Sequence, residues 1–519
     1  MADEERKDKI EPVWVEKTII NPAQDFKDFN GSKIAFFTVP VPCRTTNSKG
    51  IEDEAVKPMC MQSNKCYFFL TDDELTQRDY LIRGKPQGIE RRWSLESIKK
   101  FKSAESGEKI DPKALFDRIK KEIQAYIDFR DSRYYDFLAL WTMGTYLHRL
   151  FRSFPYVFLN ALKRCGKTKL LTLEYCLSFN PVFSTSITGS SVFRHIQDNS
   201  CTLLMDETDD LRFKENQDNV ILPILFSGYK KSGAKAHRTG GKDGDYAVSS
   251  FDVYSPKMFA NIKGIDNILA DRCITVILER TTNTQIGDKE IEESEPKWQE
   301  IRDQLYLFAM QNFKEIWDTY ESLDRFSVVS VVSVVSEDHN GVGLSNREWE
   351  LWKPLISIAR LMGGEVEKNL VSLALHTARQ KDMDEIGDNW EQCLVIGLYK
   401  LIKSEGWFSV KEITNEARYE LDEAPEGLNT RWVGRALMRL NIREKRRVGN
   451  GVQYKIAPSQ VMDIANRLHI PLSTTTLNYT TTLTTQETNK ELNNGGNLGS
   501  EVSGEVTNKL HLEESTIIG

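Results

Sequence analysis

Long apolar runs are missing from this sequence: it has no stretch of about 18 consecutive apolar residues, which argues against a membrane-spanning helix. The opening residues, MADEERKDKIEP, are charged and contain no apolar stretch, so we expect no secretory signal peptide. Cysteine is scarce as well, with 8 in 519 residues, and several lie inside apolar runs such as LEYCLSF. Such usage is typical of reduced thiols that pack as small hydrophobic side chains. Together these absences predict a cytoplasmic protein that does not enter a membrane.

Positive charge is also in short supply over the chain as a whole. The sequence holds 69 Lys and Arg against 76 Asp and Glu, which gives a formal net charge of -7. Any contact with nucleic acid therefore has to come from local basic patches rather than from a positively charged surface overall. With 519 residues, 40% of them hydrophobic, the chain is long enough for several domains.

The first motif is ALKRCGKT at 161–168, which stands between an apolar run, YVFLNA, and a helical pattern, KTKLLTLEYCL. A buried strand that leads into a turn and then a helix is the arrangement of a phosphate-binding loop, because a helix N-terminus attracts anions. Gly166 permits close approach of the backbone, Lys167 is expected to reach the β- and γ-phosphates, and Thr168 is expected to hold Mg²⁺.

Ala161 takes the place of the first glycine of this signature, a small replacement that the signature admits. A lysine-rich turn that binds no ligand is the alternative interpretation of the same residues. The predicted nucleotide contacts are Ala161, Arg164, Cys165, Gly166, Lys167, Thr168 and Lys169.

The second motif is CTLLMDETD at 201–209, an apolar run that ends in Asp206 and Glu207, 38 residues after Thr168. A strand buried on both faces has such a run, and its carboxylates emerge at the edge of the sheet where the loop is expected. Asp206 is predicted to bind Mg²⁺ through water, and Glu207 to orient and polarise the attacking water. A core strand ending in surface acids is the alternative for this motif alone, but the two motifs together favour ATP and Mg²⁺.

Two further residues follow in FDVYSPKMFANIKGIDNILADRCITVIL. FDVYSPKMFAN is predicted to be a strand ending at Asn261, and CITVIL another strand, with Arg272 between them. In ring-forming ATPases a polar residue at a strand end senses the γ-phosphate, and a nearby arginine reaches the neighbouring subunit's site to offset charge on the phosphoryl oxygens. The alternatives are a strand-end cap for Asn261 and a salt bridge to Asp271 or Asp266 for Arg272.

These residues, with LFSGYKKSGAKAHRTGG and SNREWELWKPLISIARLMGG, resemble the ATPase-like family known as domain of unknown function 3631. The resemblance covers about 150–365 and has a weaker echo at about 428–456. That family is frequent in phage, plasmid and integrated-element proteins, often beside primase or replication modules. The resemblance therefore implies an ATPase from a mobile element, with a primase or another replication protein as a partner.

More distantly, the order of motifs is similar to superfamily 3 and AAA+ replicative helicases, which implies a homo-oligomer, with a hexameric ring as the expected form. In those rings a hairpin ahead of the sensor strand grips DNA in the pore, and the matching segment here is 228–247. Its positive side chains are suited to phosphate contacts without sequence reading. The predicted contacts to single-stranded or forked DNA are Lys235, His237, Arg238 and Lys242. A solvated loop is the alternative.

A basic segment stands out near the C-terminus of this acidic chain. NTRWVGRALMRLNI has an apolar helical face, and EKRRVGNGVQYKI has an Asn-Gly pair between alternating apolar residues, a strong hairpin signal. A helix in the major groove with a basic wing on the backbone would use these charges, whereas a protein-binding helical module is the alternative. The predicted DNA contacts of this segment are Arg431, Arg435, Arg439, Arg446 and Arg447.

The sequence thus predicts an α/β fold built on a P-loop NTPase core. The expected function is an ATP-hydrolysing DNA motor, a ring-forming replication helicase or translocase, with an ATP-switched DNA-binding or regulatory protein as the alternative. The predicted segments are a disordered N-terminus at 1–30, a small α+β domain at 31–110, a helical linker at 111–152, the ATPase core at 153–290, a helical lid at 291–390, a winged-helix-like module at 391–468 and a disordered tail at 469–519.

Overall fold

The structure is a computed structural model, and the chain divides into two compact units, Met1–Asp382 and Met383–Gly519. The Ser-Val-Val repeat at 327–336 and nearly all of the predicted tail at 469–519 lie outside the described residues. For Arg238, Asn261 and Arg439 only the backbone is described. The described residues are 16–46, 52–86, 88, 90–103, 109–161, 165–184, 189–206, 221–240, 247–261, 265, 267–325, 344–388, 390–420, 428–449, 451–468, 470 and 472.

The first unit opens with small sheets rather than with a disordered segment, so the expected disorder of 1–30 is wrong for its strand-forming part. Two residues of that part, Asp25 and Phe26, are buried, and the Phe26 ring lies 6.0 Å from that of Phe37. An antiparallel sheet has the order β2-β3-β4-β5, and β1 pairs in parallel with β6. The elements are β1 Thr18–Ile20, β2 Gln24–Phe29, β3 Ser32–Thr46, β4 Glu52–Gln62, β5 Tyr67–Phe69, α1 Asp72–Gln77, β6 Tyr80–Ile82 and α2 Leu95–Ser103.

Two helices, α3 (Pro112–Tyr126) and α4 (Arg133–Thr145), then pack against each other. Asp111 caps α3, because its side chain accepts hydrogen bonds from the N–H groups of Lys113 and Ala114, and Pro112 occupies the first turn. One face of α3 is apolar and buried. Helix α4 is buried along nearly its whole length, so it is a central helix of the unit.

A parallel sheet follows, and within the described residues five strands form it in the order β13-β7-β12-β9-β8. The mixed α/β class is therefore confirmed. One expected strand is divided: FDVYSPKMFAN contributes its first residues to β11 and its last to β12, because Pro256 lies between them and cannot donate a ladder hydrogen bond. The elements are β7 Tyr156–Ala161, α5 Lys167–Leu177, β8 Pro181–Ser184, α6 Gly189–Asn199, β9 Thr202–Met205, α7 Ile221–Ser227, β10 Lys235–Gly240, β11 Ala247–Asp252, β12 Lys257–Asn261, α8 Asn267–Ala270 and β13 Cys273–Leu278.

Helices follow: α9 (Thr284–Gly287), α10 (Pro296–Ser322), α11 (Asn346–Met362) and α12 (Gly364–Asp388), the last of which begins in the first unit and ends after its last residue, Asp382. The antiparallel and parallel sheets share one hydrophobic core with these helices. Tyr306 of α10 shows the connection, because its ring lies 5.7 Å from that of Phe37 and 5.1 Å from that of Tyr146. Among the described helices, none combines the length and the apolar character that crossing a membrane requires.

The second unit has its own core and its own sheet, with the order β14-β16-β15. The predicted hairpin is confirmed, since β15 and β16 are antiparallel and pair Val448 with Gly451, so that Gly451 of the Asn-Gly pair is the first residue of β16. Asn429 caps the helix that the sequence predicts there. The elements are α13 Trp390–Leu401, β14 Gly406–Ser409, α14 Val410–Tyr419, α15 Thr430–Arg439, β15 Lys445–Val448, β16 Gly451–Ile456 and α16 Pro458–Arg467.

Candidate functional site

The loop after β7 leads directly into α5, as its sequence predicts. Gly166 precedes the helix in the left-handed conformation, with φ 84° and ψ 15°, which a residue with a side chain adopts only at a cost. The first backbone hydrogen bond of the helix is donated by the N–H of Leu170 to the carbonyl oxygen of Gly166. The N–H groups of Lys167, Thr168 and Lys169 belong to the first turn of the helix, the end that attracts an anion.

The two side chains predicted to bind Mg²⁺ lie in direct contact. The Thr168 hydroxyl donates a hydrogen bond of 2.6 Å to Oδ2 of Asp206, although 38 residues separate them in sequence. Asp206 follows β9 immediately and is 8% exposed. A hydroxyl and a carboxylate are hard oxygen ligands, so this donor set fits Mg²⁺.

Lys167 belongs to the same site. Its amine donates a 2.9 Å hydrogen bond to the carbonyl oxygen of Ala161, so the side chain folds back across the loop that it follows. Cys165 is half-buried beside Gly166. Arg164 and Glu207, the remaining predicted members at the loop and the acidic strand, lie outside the described residues.

Strand β12 brings Asn261 to the same edge of the sheet. It pairs with β7 on one side and β9 on the other, and its last residue stands opposite Asn160. Since all three strands are parallel, Ala161, Met205 and Asn261 end at one carboxyl edge. The backbone of Asn261 therefore lies between the loop and the acidic strand.

Lys169 differs from the other predicted contacts. Its amine donates to the carbonyl oxygens of Ile286 and Gly287, at 2.9 and 2.8 Å, and partial burial lowers its pKa. The side chain thus ties α5 to the turn of α9. Only its backbone N–H remains for the predicted contact with a nucleotide.

Helix α5, which follows the loop, is stabilised by polar groups that were not predicted from the sequence. Glu174 is fully buried, accepts a 2.6 Å hydrogen bond from the Ser178 hydroxyl and lies 2.8 Å from the Thr142 hydroxyl. At the C-terminal end, Arg92 and Arg302 donate to the carbonyl oxygen of Cys176 at 3.0 and 2.9 Å. Positive charge at a helix C-terminus interacts favourably with the helix dipole, so these two arginines stabilise the C-terminal end of α5.

For only one of these residues does the neighbouring sequence indicate a buried polar role. Glu174 is a carboxylate within the apolar run LLTLEYCL, and such a residue has to be neutral or paired once it is buried. Arg92 and Arg302 have no comparable signal, because each is remote from α5 in sequence and reaches it through the tertiary fold.

Arg272 lies at the opposite edge of the sheet. Its carbonyl oxygen accepts from the N–H of Tyr156, the first residue of β7, whereas the loop follows the last residue of that strand. The length of β7, about 16 Å at 3.3 Å per residue, therefore separates Arg272 from the loop of its own copy. The Arg272 guanidinium donates to the carbonyl oxygens of Phe226, at 2.8 Å, and Ile268.

The predicted DNA hairpin is an antiparallel pair, β10 with β11, and its base is firmly anchored. Lys235 and His237 are exposed on β10, Arg238 follows on the same strand, and Lys242 lies outside the described residues. At the base, Asp252 forms a 2.8 Å ion pair with Arg149, which is 2% exposed. Burial alone would raise the pKa of Asp252, but the charge and hydrogen bond of Arg149 hold it below its ordinary value.

The second unit presents basic side chains on its helix α15 and on its hairpin. Arg431, Arg435 and Arg447 are exposed. Arg446 is exposed too, but it is held in place: its guanidinium lies 4.3 Å from the centroid of the Trp407 ring and donates to the Gln453 side chain at 2.9 Å. The predicted residue Arg439 ends α15.

Comparison with known proteins gives distant likenesses. No protein-family model matches the sequence, including that of domain of unknown function 3631, and no curated protein matches it. A solved structure described as SCCmec type IV Cch, an active helicase, has a TM-score of 0.35 and 10% sequence identity, covering 86% of this chain and 99% of that one. The A form apo structure of the NrS-1 C-terminal region has a TM-score of 0.30 and 10% identity, covering 77% and 94%. At these TM-scores, neither likeness bears on the function of this chain.

Proposed function

We propose that this chain is an ATP-hydrolysing motor that acts on DNA, a ring-forming replication helicase or translocase of a phage, plasmid or integrated element. The observation that carries the proposal is the 2.6 Å contact between Thr168 and Asp206 at the start of α5. A hydroxyl and a carboxylate in contact beside a helix N-terminus and a lysine supply what a magnesium-bound triphosphate needs.

The backbone N–H groups that follow Gly166 would hold the phosphates, and Lys167 would move from its contact with Ala161 to the β- and γ-phosphate oxygens. Thr168 and Asp206 would hold Mg²⁺, which when bound neutralises charge on the phosphates. The bond between Thr168 and Asp206 would open to admit the ion, which the Thr168 hydroxyl would bind and which Asp206 would hold through water.

Glu207 would orient and polarise the attacking water, since it is the next residue in sequence after Asp206. Asn261 would sense the γ-phosphate from between the loop and the acidic strand. Arg272 would act on the nucleotide of a neighbouring copy, a role that its separation from its own loop supports.

DNA would be bound through two basic surfaces. In the first unit, Lys235, His237, Arg238 and Lys242 would contact phosphates from the hairpin, and the buried anchor at its base would transmit movements of the sheet. In the second unit, the exposed arginines of α15 and β15 would bind the backbone. The latter residues are Arg431, Arg435, Arg439, Arg446 and Arg447.

The test is ATP hydrolysis with and without single-stranded DNA. We expect DNA to stimulate hydrolysis, and Lys167→Ala to abolish it. Lys113→Ala is the matched control, because Lys113 also lies in the first turn of a helix but is exposed and paired with Asp117. Loss of activity in both variants, or in neither, would contradict the assignment of the loop.

Unwinding of a forked duplex separates a motor from a nucleotide-switched DNA-binding protein. A motor separates the strands in the presence of ATP, and Lys167→Ala does not. Hydrolysis that DNA does not stimulate, together with nucleotide-dependent DNA binding and intact forks, would favour the switch.

A further inference from the structure

Arg347, in the first turn of α11, lies against an aromatic residue that also contacts Arg272. The Arg347 guanidinium is 5.0 Å from the centroid of the Tyr229 ring and donates to the Tyr229 hydroxyl. The Arg272 guanidinium is 5.2 Å from the same centroid. Tyr229 is 6% exposed, so one buried ring contacts both arginines.

This pair of arginines lies at the amino edge of the parallel sheet. The backbone carbonyl oxygen of Tyr229 accepts a hydrogen bond from the N–H of Phe154, which lies two residues before β7. The hydroxyl of Ser153 donates a 2.6 Å hydrogen bond to the backbone carbonyl oxygen of Glu350, which lies one helical turn after Arg347. Helix α11 thus brings Arg347 to the edge opposite the loop, and a contact between Arg347 and a nucleotide on its own loop would have to cross the length of β7.

Positive charge is in excess around Tyr229. Glu350 pairs with both Lys230, at 2.7 Å, and Arg347, at 3.3 Å. The hydrogen bonds of Arg272 within the described residues go to carbonyl oxygens, which orient a guanidinium without neutralising it. Arg347 and Lys230 are each 37% exposed, so the cluster is accessible to a ligand. Lys230 and Arg347 share one carboxylate, and the Arg272 guanidinium lies against the same ring, so the three cations favour a ligand rich in phosphate oxygens.

We propose that Arg347 acts together with Arg272 in trans, on the terminal phosphates of the nucleotide bound by the loop of a second copy. In a head-to-tail assembly the amino edge of one copy faces the carboxyl edge of the next, so the positive cluster meets the bound triphosphate. Tyr229 reduces the ordering cost of this contact because it already holds both guanidinium groups. The inference rests on the proposed function, since it needs a nucleotide at the loop.

The experiment measures ATP hydrolysis by the full chain carrying Arg347→Ala. An arginine that neutralises the transferring phosphoryl group contributes about 10³–10⁵-fold to kcat, and for one member of a pair we expect a loss of at least about tenfold. Arg360→Ala is the matched control, because Arg360 lies on the same helix and pairs with Glu367, and its activity should equal wild type. Thermal melting of both variants checks that the fold is intact.

Mixing two inactive variants tests for action in trans. Arg347→Ala subunits keep an intact loop, and Lys167→Ala subunits keep both arginines, so random mixing at equal amounts restores about a quarter of the interfaces. We expect activity to return in the mixture. As a second measurement, a non-hydrolysable ATP analogue should promote assembly of wild type more than of Arg347→Ala in sedimentation, whereas ADP should not distinguish them.

Unchanged hydrolysis by Arg347→Ala would overturn the inference, and so would a loss that mixing does not restore, since a residue acting in cis behaves in that way. A loss of single-stranded DNA affinity with full hydrolysis would identify the cluster as a DNA contact and would also overturn it. Failure of the proposed function gives a different result, because wild type itself would then neither hydrolyse ATP nor respond to Lys167→Ala.

Discussion

Replacement of Glu174 by glutamine should stabilise the protein at alkaline pH and not at acidic pH. The carboxyl is fully buried in α5, and burial raises its pKa from 4.5 to about 7 against the opposing hydrogen bonds of Ser178 and Thr142. The Thr142 hydroxyl also bonds to the carbonyl oxygen of Leu138 at 2.9 Å. Since a hydroxyl has one hydrogen, a protonated Glu174 can donate to Thr142 while Thr142 donates to Leu138. Burial therefore favours the neutral acid, and the arrangement of hydroxyls can satisfy its hydrogen bonds.

The sign follows from the raised pKa. The stabilisation by Glu174 is complete below its unfolded pKa near 4.5 and is lost as the pH rises through its folded pKa of about 7. A pKa shift of this size corresponds to about 3 kcal/mol in the free energy of unfolding. About 2–3 kcal/mol of this stabilisation is lost between pH 5 and pH 8. Glutamine has a similar shape and does not titrate, so the variant should keep its stability over that interval.

Thermal melting of wild type and Glu174→Gln at a series of pH values measures the effect. The melting temperature of Glu174→Gln should rise relative to that of wild type as the pH increases from 5 to 8. Glu96→Gln is the control, because Glu96 is exposed and its pKa is lowered by the hydrogen bond and charge of Lys100, so it stays ionised over this interval. A gap for Glu174→Gln that does not change with pH would refute the reasoning.

Three further perturbations have definite outcomes. Gly166→Ala should cost about 1–2 kcal/mol of stability, because φ there is 84°, and should weaken nucleotide binding measured by calorimetry. Gly364→Ala should do neither, because φ there is not positive and an added Cβ would meet no atom within 4 Å. Asp252→Asn should destabilise the protein by about 3–5 kcal/mol in chemical denaturation, because it leaves a buried guanidinium without its carboxylate; a loss below 1 kcal/mol would contradict this. Replacing Arg446 and Arg447 by alanine should reduce the slope of log K against log salt for DNA binding by about 2, as measured by anisotropy, and an unchanged slope would exclude both as phosphate contacts.

The loop side of the candidate site could be predicted from the sequence because its information is local. An apolar run of six residues gave β7, and a helical pattern gave α5, with the bounds that the structure has. The acidic strand was predicted in the same way. Its contact with Thr168 follows from one rule, that parallel strands present their carboxyl ends at a common edge.

The opposite edge could not be predicted. Tyr229, Arg272 and Arg347 are separated by tens of residues and have no periodic pattern in common, so nothing local relates them. Their contact depends on the direction in which α11 crosses the end of β7. The strands at 18–29 were missed for a similar reason, since their few apolar residues are buried by other parts of the chain. Phe26 joins the main core, and Ile20 joins a smaller cluster with Phe36 and Phe68.

The sequence by itself determined the strands and helices whose apolar period is strong, the glycine at the left-handed turn, and the acid at the end of its strand. These features depend on backbone sterics and on burial of a repeating apolar face, which act over a few residues. Only the tertiary structure decided which charges are buried and paired, as for Arg149 and Asp252, and which arginines face away from their own loop. Those outcomes depend on the packing of remote segments, because the energy of a charge is set by the groups that surround it in space.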